Sequence, residues 1–119
     1  MAKRVLIVDN STDLAESLGE IVALDPSLDF VGYVTTGRAA LEQARRGAAD
    51  VLVLDLGLAD ISGMEVLTRI QQEELPTRVV LHTGHASEAL AAEAARRGAR
   101  GYVVKGSDVS VLLAALREA

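Results

Sequence analysis

The sequence predicts an α/β fold, a three-layer sandwich in which a five-stranded parallel sheet lies between two layers of helices. Three observations carry this. Four short apolar runs, Val5–Val8, Val51–Leu54, Val79–Leu81 and Tyr102–Val104, are rich in β-branched residues and do not alternate with polar ones, which is the pattern of strands covered on both faces. Between them the apolar spacing changes to the three-and-four period of a helix. Helix-start and helix-stop residues mark the boundaries, and strands separated by helices run parallel through right-handed crossovers.

Taken in order, the first strand is Val5-Leu6-Ile7-Val8, and the helix after it carries Leu14, Leu18, Ile21 and Val22 on one face. Thr12 and Asp13 are its candidate N-caps, and Pro26 falls in the connection that follows. Asp29–Val34 reads as a weaker strand at a sheet edge. The Ala-, Glu- and Arg-rich stretch Arg38–Arg46 favours helix and starts behind Thr36. Val51–Leu54 is the most apolar run and so the central strand. A helix with Met64, Leu67 and Ile70 on one face follows Ser62 and ends before Pro76. Val79–Leu81 is the fourth strand, Ser87–Arg97 the fourth helix and Tyr102–Val104 the fifth strand. The last helix presents Val109, Leu112, Leu113 and Leu116 after Ser107 and Asp108. The tetrapeptide Arg-Arg-Gly-Ala occurs at Arg45–Ala48 and again at Arg96–Ala99. Each glycine suits a left-handed position just past a helix, and the arginines suit the negative helix end.

The 119 residues are expected to form one domain, 1–119, and with half of them apolar they can bury a real core. No residue is cysteine, which excludes disulfide scaffolds, thiolate metal sites and cysteine nucleophiles. Seventeen acidic against twelve basic residues give a formal charge of −5, which argues against direct binding to nucleic acid or anionic lipid. The apolar runs are too short for a secretory or membrane-spanning segment, so a cytoplasmic location is expected.

In open α/β sheets, ligands bind outside the carboxyl ends of the strands. Asp9 and Asn10 follow the first run, Asp55 the third, Thr83 and Gly84 the fourth, Lys105 and Gly106 the fifth. Each alone has an ordinary reading as a loop starter or a solvated side chain. Together they place carboxylates, an amide, a hydroxyl and an ammonium on one edge. Carboxylates crowded together call for a cation, and oxygen donors without Cys or a His pair suit Mg²⁺ better than Zn²⁺. With Lys105 and helix N-termini at the same edge, this points to phosphoryl chemistry on a carboxylate nucleophile, Asp55. Gly57 and Gly63 are expected to leave room beside it.

These residues resemble the receiver domain of two-component response regulators over essentially the whole chain. Val5-Leu6-Ile7-Val8-Asp9-Asn10 resembles the family's first strand and acidic pair, and Asp50–Leu58 its phosphoacceptor strand, continued by Gly63-Met64-Glu65. Leu81-His82-Thr83-Gly84-His85 resembles the strand with the switch hydroxyl, and Gly98–Lys105 the final strand with its aromatic and lysine. The style is similar to receivers that precede helix-turn-helix output domains. The resemblance implies strand order 2-1-3-4-5, a phosphoryl group taken by Asp55 from a sensor histidine kinase or phosphotransfer protein, and Mg²⁺ held by Asp9, Asn10, Asp55 and the Gly57 backbone carbonyl. It further implies that Lys105 bonds the phosphoryl oxygens, that Thr83 closes on them and that Tyr102 turns inward. The face formed by the fourth helix, fifth strand and fifth helix would then be read by an effector or an attached output domain, and it allows a homodimer. His85, two past Thr83, can tune hydrolysis or be a solvated loop residue; His82, inside a strand, reads as structural.

Asn10 stands where the family usually has an acid, which predicts weaker Mg²⁺ binding and keeps open a second reading, a pseudo-receiver that docks partners without phosphorylation. Ala59 and Gly106 stand where many members have proline. Enzymes on similar sheets fit less well. An aspartate-nucleophile phosphatase needs a second acid at position 11, here Ser11, and a flavodoxin-like protein needs more aromatic residues than the 3% present.

Overall fold

The computed structural model describes all residues, 1–119. Five strands alternate with five helices: β1 (Lys3–Val8), α1 (Thr12–Ala23), β2 (Leu28–Val34), α2 (Gly37–Arg45), β3 (Val51–Leu54), α3 (Gly63–Gln72), β4 (Arg78–Thr83), α4 (Glu88–Arg96), β5 (Gly101–Val104) and α5 (Val109–Glu118). All strand pairs are parallel, in the order β2-β1-β3-β4-β5. The expected α/β sandwich is therefore the one observed, with the Val51–Leu54 strand at its centre and the weak second strand at an edge.

The absence of alternation in the strands has a direct cause. Successive side chains point to opposite faces, and here both faces are covered. Leu6, Val8, Leu52, Leu54, Val79 and Leu81 pack against α2, α3 and α4 through residues such as Leu41, Val66 and Leu67. Val5, Ile7, Val51, Val53, Val80 and Val103 pack on the other side against α1 and α5, through Leu18, Val22, Leu112 and Leu116.

The helix ends follow the sequence signals with one shift. Thr36, Ser62, Ser87 and Asp108 each cap a helix by accepting a backbone N–H. In α1 the cap is Ser11, whose hydroxyl accepts from the Leu14 N–H at 3.3 Å, and not Thr12 or Asp13. Those two already lie in the first turn, where a side chain can no longer reach forward to the free N–H groups. Gly47 (φ +67°) and Gly98 (φ +94°) hold the left-handed positions predicted for both Arg-Arg-Gly-Ala segments. The edge strand adds a feature no sequence pattern announced. The β1–β2 register jumps from Val5↔Phe30 to Leu6↔Gly32, so Val31 is an extra, exposed residue bulged out beside Gly32 (φ +126°).

Candidate functional site

Three strand ends deliver the charged groups. Asp9 follows β1, Asp55 follows β3 and Lys105 follows β5. The strands themselves tie these ends together, with Asp9 N–H donating to Val34 O at 3.1 Å, Asp55 N–H to Val8 O at 3.0 Å and Lys105 N–H to Thr83 O at 2.7 Å. Asp9 and Asp55 are buried, at 2% and 8% exposure. Lys105 reaches from the far side of the sheet edge to both, its Nζ lying 2.9 Å from Asp9 Oδ2 and 3.3 Å from Asp55 Oδ2. The outer oxygens are held locally: Asp9 Oδ1 accepts the Ser11 N–H at 2.9 Å, and Asp55 Oδ1 the Gly57 N–H at a longer 3.3 Å.

Partial burial pulls the Lys105 pKa down, but the hydrogen bond to Asp9 and the charges of both carboxylates outweigh it, leaving the pKa above its ordinary value. Lys105 is therefore an ammonium at neutral pH. Two carboxylates against one ammonium leave the cluster with an excess negative charge. The open donors at this edge are all oxygens: the two carboxylates, the Asn10 amide and the Gly57 carbonyl. That donor set fits a hard divalent cation such as Mg²⁺, which takes one or two carboxylates and completes its shell with water and phosphate. No three His, Cys, Asp or Glu side chains lie together. Asn10, next to Asp9 in the chain, is exposed, and its side chain makes no hydrogen bond in this arrangement.

Thr83 is buried at 1% exposure, and its hydroxyl accepts the His85 N–H at 3.3 Å, so it faces its own loop. Tyr102 packs against the α2–α4 side of the core and donates its hydroxyl hydrogen to the His85 carbonyl at 2.6 Å. Thr83 and Tyr102 thus meet at His85, and the His85 backbone joins them. The expectation for the two glycines divides. Nothing approaches within 4 Å of a Cβ built on Gly57, so the space beside Asp55 is open there. A Cβ on Gly63 would collide with the Asp55 carbonyl oxygen. Gly63 therefore serves the close approach of α3 to the end of β3 and provides no room for a ligand.

Asp60 was not legible in the sequence, and His82, read there as structural, is buried but left without a hydrogen-bond partner at one nitrogen. Asp60, in the β3–α3 loop, accepts the Gly37 N–H at 2.8 Å and the Arg38 N–H at 3.0 Å, holding the loop to the start of α2. The Arg38 hydrogen bond, with that of Gly37, outweighs desolvation and depresses the Asp60 pKa to about 2. Its partners are more than twenty positions away, beyond any local signal. His82 is buried at 7% exposure and its Nδ1 has no hydrogen-bond partner. Burial first, and the Lys105 charge second, lower its pKa.

Comparison with known proteins agrees with this geometry. The family model "Response regulator receiver domain" matches residues 5–117. The nitrate/nitrite response regulator protein NarL of Escherichia coli K12 is 28% identical over 115 residues, covering 97% of this chain and 53% of the relative. The chain thus spans about half the length of the curated relatives it matches. Among solved structures, the signal receiver domain of the putative response regulator NarL from Mycobacterium tuberculosis superposes with a TM-score of 0.85 at 31% identity, covering 97% of each chain. The receiver domain of a putative Luxo repressor protein from Vibrio parahaemolyticus gives a TM-score of 0.87 at 34% identity, over 98% of this chain and 88% of that one.

Proposed function

This chain belongs to the response regulator receiver domain family, and we propose that its working group is the Asp55 carboxylate, which takes a phosphoryl group from the phosphohistidine of a sensor histidine kinase or phosphotransfer protein. Receiver domains are signalling domains of two-component systems rather than conventional enzymes, and no helix here is long and apolar enough to cross a membrane. The observation that carries the reading is the single ammonium of Lys105 within 3.3 Å of two buried carboxylates.

In the transfer, an Asp55 oxygen forms the bond to phosphorus as the P–N bond to the donor imidazole breaks, and that electron pair leaves with the imidazole. Oδ1 is the freer oxygen, held only by the long Gly57 contact, whereas Oδ2 is held by the Lys105 ammonium. Lys105 has three donors, two of them directed at Asp9 and Asp55, and the third serves the incoming phosphoryl oxygens. Asp9, Asp55, the Asn10 amide oxygen and the Gly57 carbonyl hold Mg²⁺ in this reading, and the ion supplies neutralisation of the crowded negative charge.

Thr83 exchanges its loop contact for a phosphoryl oxygen, Tyr102 gives up the His85 carbonyl and turns inward, and the α4–β5–α5 face changes shape. An effector, an attached output region or a second copy reads that face, and His85 tunes hydrolysis. Residues 1–119 act as one receiver unit in this account.

The test is incubation with acetyl phosphate or phosphoramidate and Mg²⁺, followed by intact-mass measurement. Wild type gains one phosphoryl group and Asp55→Ala gains none. Wild type that stays unmodified at saturating Mg²⁺ overturns the reading and leaves the phosphorylation-independent docking module.

A further inference from the structure

Eight of the ten arginines have a carboxylate oxygen within 3.9 Å. Arg78 and Arg100 do not. Both border one cavity of about 440 Å³ at the pole remote from Asp55, where α3 and α4 end and β4 and β5 begin. A third guanidinium there, Arg97, is already taken by Glu93 at 3.0 Å and by the Thr68 hydroxyl at 2.9 Å. Asp50, whose pKa Arg78 helps to lower, is taken by Arg4 at 3.1 Å. Gln71 and Thr77, the uncharged polar side chains of the walls, donate to the Arg96 and Ala49 carbonyls at 3.3 and 3.2 Å. The remaining charge is Glu74, which also borders the cavity and, unlike Glu73 beside it, holds no cation. The backbones of these three residues are fixed. Glu74 takes a left-handed conformation (φ +54°) in the turn that closes α3, with its N–H on Gln71 O at 3.1 Å. Arg78 N–H donates to Asp50 O at 2.9 Å and Arg100 N–H to Val79 O at 2.8 Å. Two positive charges and one negative, all unpaired, are thus anchored on separate segments around one space.

We infer that this cavity binds a small molecule carrying two carboxylates and one ammonium, with Arg78 and Arg100 each taking a carboxylate and Glu74 the ammonium. Charge decides the class. Two guanidiniums and one carboxylate leave an excess of one positive charge, which a ligand of net charge −1 cancels group for group. A plain dicarboxylate leaves Glu74 facing negative charge, and an amine with one carboxylate leaves one guanidinium without a partner. The guanidinium fork matches a carboxylate through two parallel hydrogen bonds. Leu75 and Pro76 offer the aliphatic body of such a molecule an apolar wall. The volume lies in the range of small-molecule sites, about 300–1,000 Å³. Occupation of this cavity does not depend on whether Asp55 accepts phosphate.

The experiment is amide and arginine side-chain NMR of the metal-free, unphosphorylated protein, titrated at constant ionic strength with glutamate, glutarate and γ-aminobutyrate. Glutamate produces saturable shifts at Glu74, Arg78 and Arg100, and binds about twofold to fivefold more tightly than either analogue, the margin of one exposed ion pair. Arg78→Gln and Arg100→Gln each weaken glutamate binding by about the same factor, while Arg46→Gln, at an arginine paired on α2, leaves it unchanged. In Glu74→Gln, glutarate binds at least as tightly as glutamate. All three side chains of the site are exposed, so these variants leave the core intact. Absence of saturable shifts at these residues, an analogue that binds wild type as tightly as glutamate does, a glutamate preference over glutarate that survives in Glu74→Gln, or wild-type affinity in either arginine variant of the site would each overturn it.

Discussion

At position 10 an amide stands beside two buried carboxylates and an ammonium. The neighbouring Asp9 and Asp55 set the direction of any change there. Restoring a charge with Asn10→Asp adds attraction for a divalent ion at an exposed position, worth about 1–2 kcal/mol in a largely aqueous dielectric. Mg²⁺ affinity should therefore rise about tenfold, read by titration with NMR; an unchanged affinity would show that residue 10 does not face the ion.

His82 sets a second prediction at this scale. Its folded pKa is lowered by burial and then by Lys105, below the 6.5 of a free imidazole. Between that lowered value and 6.5 the unfolded chain binds the extra proton, so stability is full above pH 6.5 and is lost as pH falls below it. The chain has two histidines, and comparing wild type with a His82 variant isolates the contribution of this one. Urea denaturation between pH 7.5 and 5.5 should show a loss of stability in wild type that is reduced in His82→Leu. Equal slopes in the two proteins would contradict the assignment.

Elements meet the site through two contacts that constrain single residues. Gly63 opens α3 directly over the Asp55 carbonyl, where a Cβ cannot fit. Gly63→Ala should destabilise the protein by about 1–3 kcal/mol, the usual cost of overpacking, and should slow phosphoryl uptake because the end of β3 must move. Denaturant melts and phosphorylation rates on the same sample test both parts. Asp60 joins the loop after β3 to the start of α2 through the Gly37 and Arg38 N–H groups, alongside the Thr36 cap. Its pKa, depressed to about 2, makes its contribution present above pH 3.8 and lost as pH falls toward 2. The stability gap between wild type and Asp60→Ala should therefore be constant from pH 7 to 5 and shrink below pH 4. A gap that does not change would exclude the carboxylate as the clamp. Local signals found most helix starts, because a cap reaches only two or three residues ahead. They could not find Asp60, which closes a ring of more than twenty residues, nor the Val31 bulge, which depends on how β2 lies against β1.

For the molecule as a whole, the site is a place where charge opposes stability. Asp9, Asp55 and Lys105 carry an excess negative charge in a buried corner, and Asp55→Asn leaves one carboxylate with one ammonium. That variant should be as stable as wild type or more so, by up to about 1 kcal/mol, raising the Tm by about 3–6 °C. A fall of several degrees in a calorimetric scan would show that Asp55 supports the fold. The order of apolar runs and helical stretches was enough to determine the α/β class, the central place of Val51–Leu54 and the edge on which Asp9, Asp55, Thr83 and Lys105 gather. These follow from periodicity and from the rule that parallel strands all end on one side. Packing alone decided that Lys105 bridges both carboxylates, that Gly63 seats a helix and leaves no room for a ligand, and that His82 lies buried with one nitrogen unbonded. Those outcomes depend on distances of a few ångströms between residues far apart in the chain, and side-chain spacing along one segment carries no information about them.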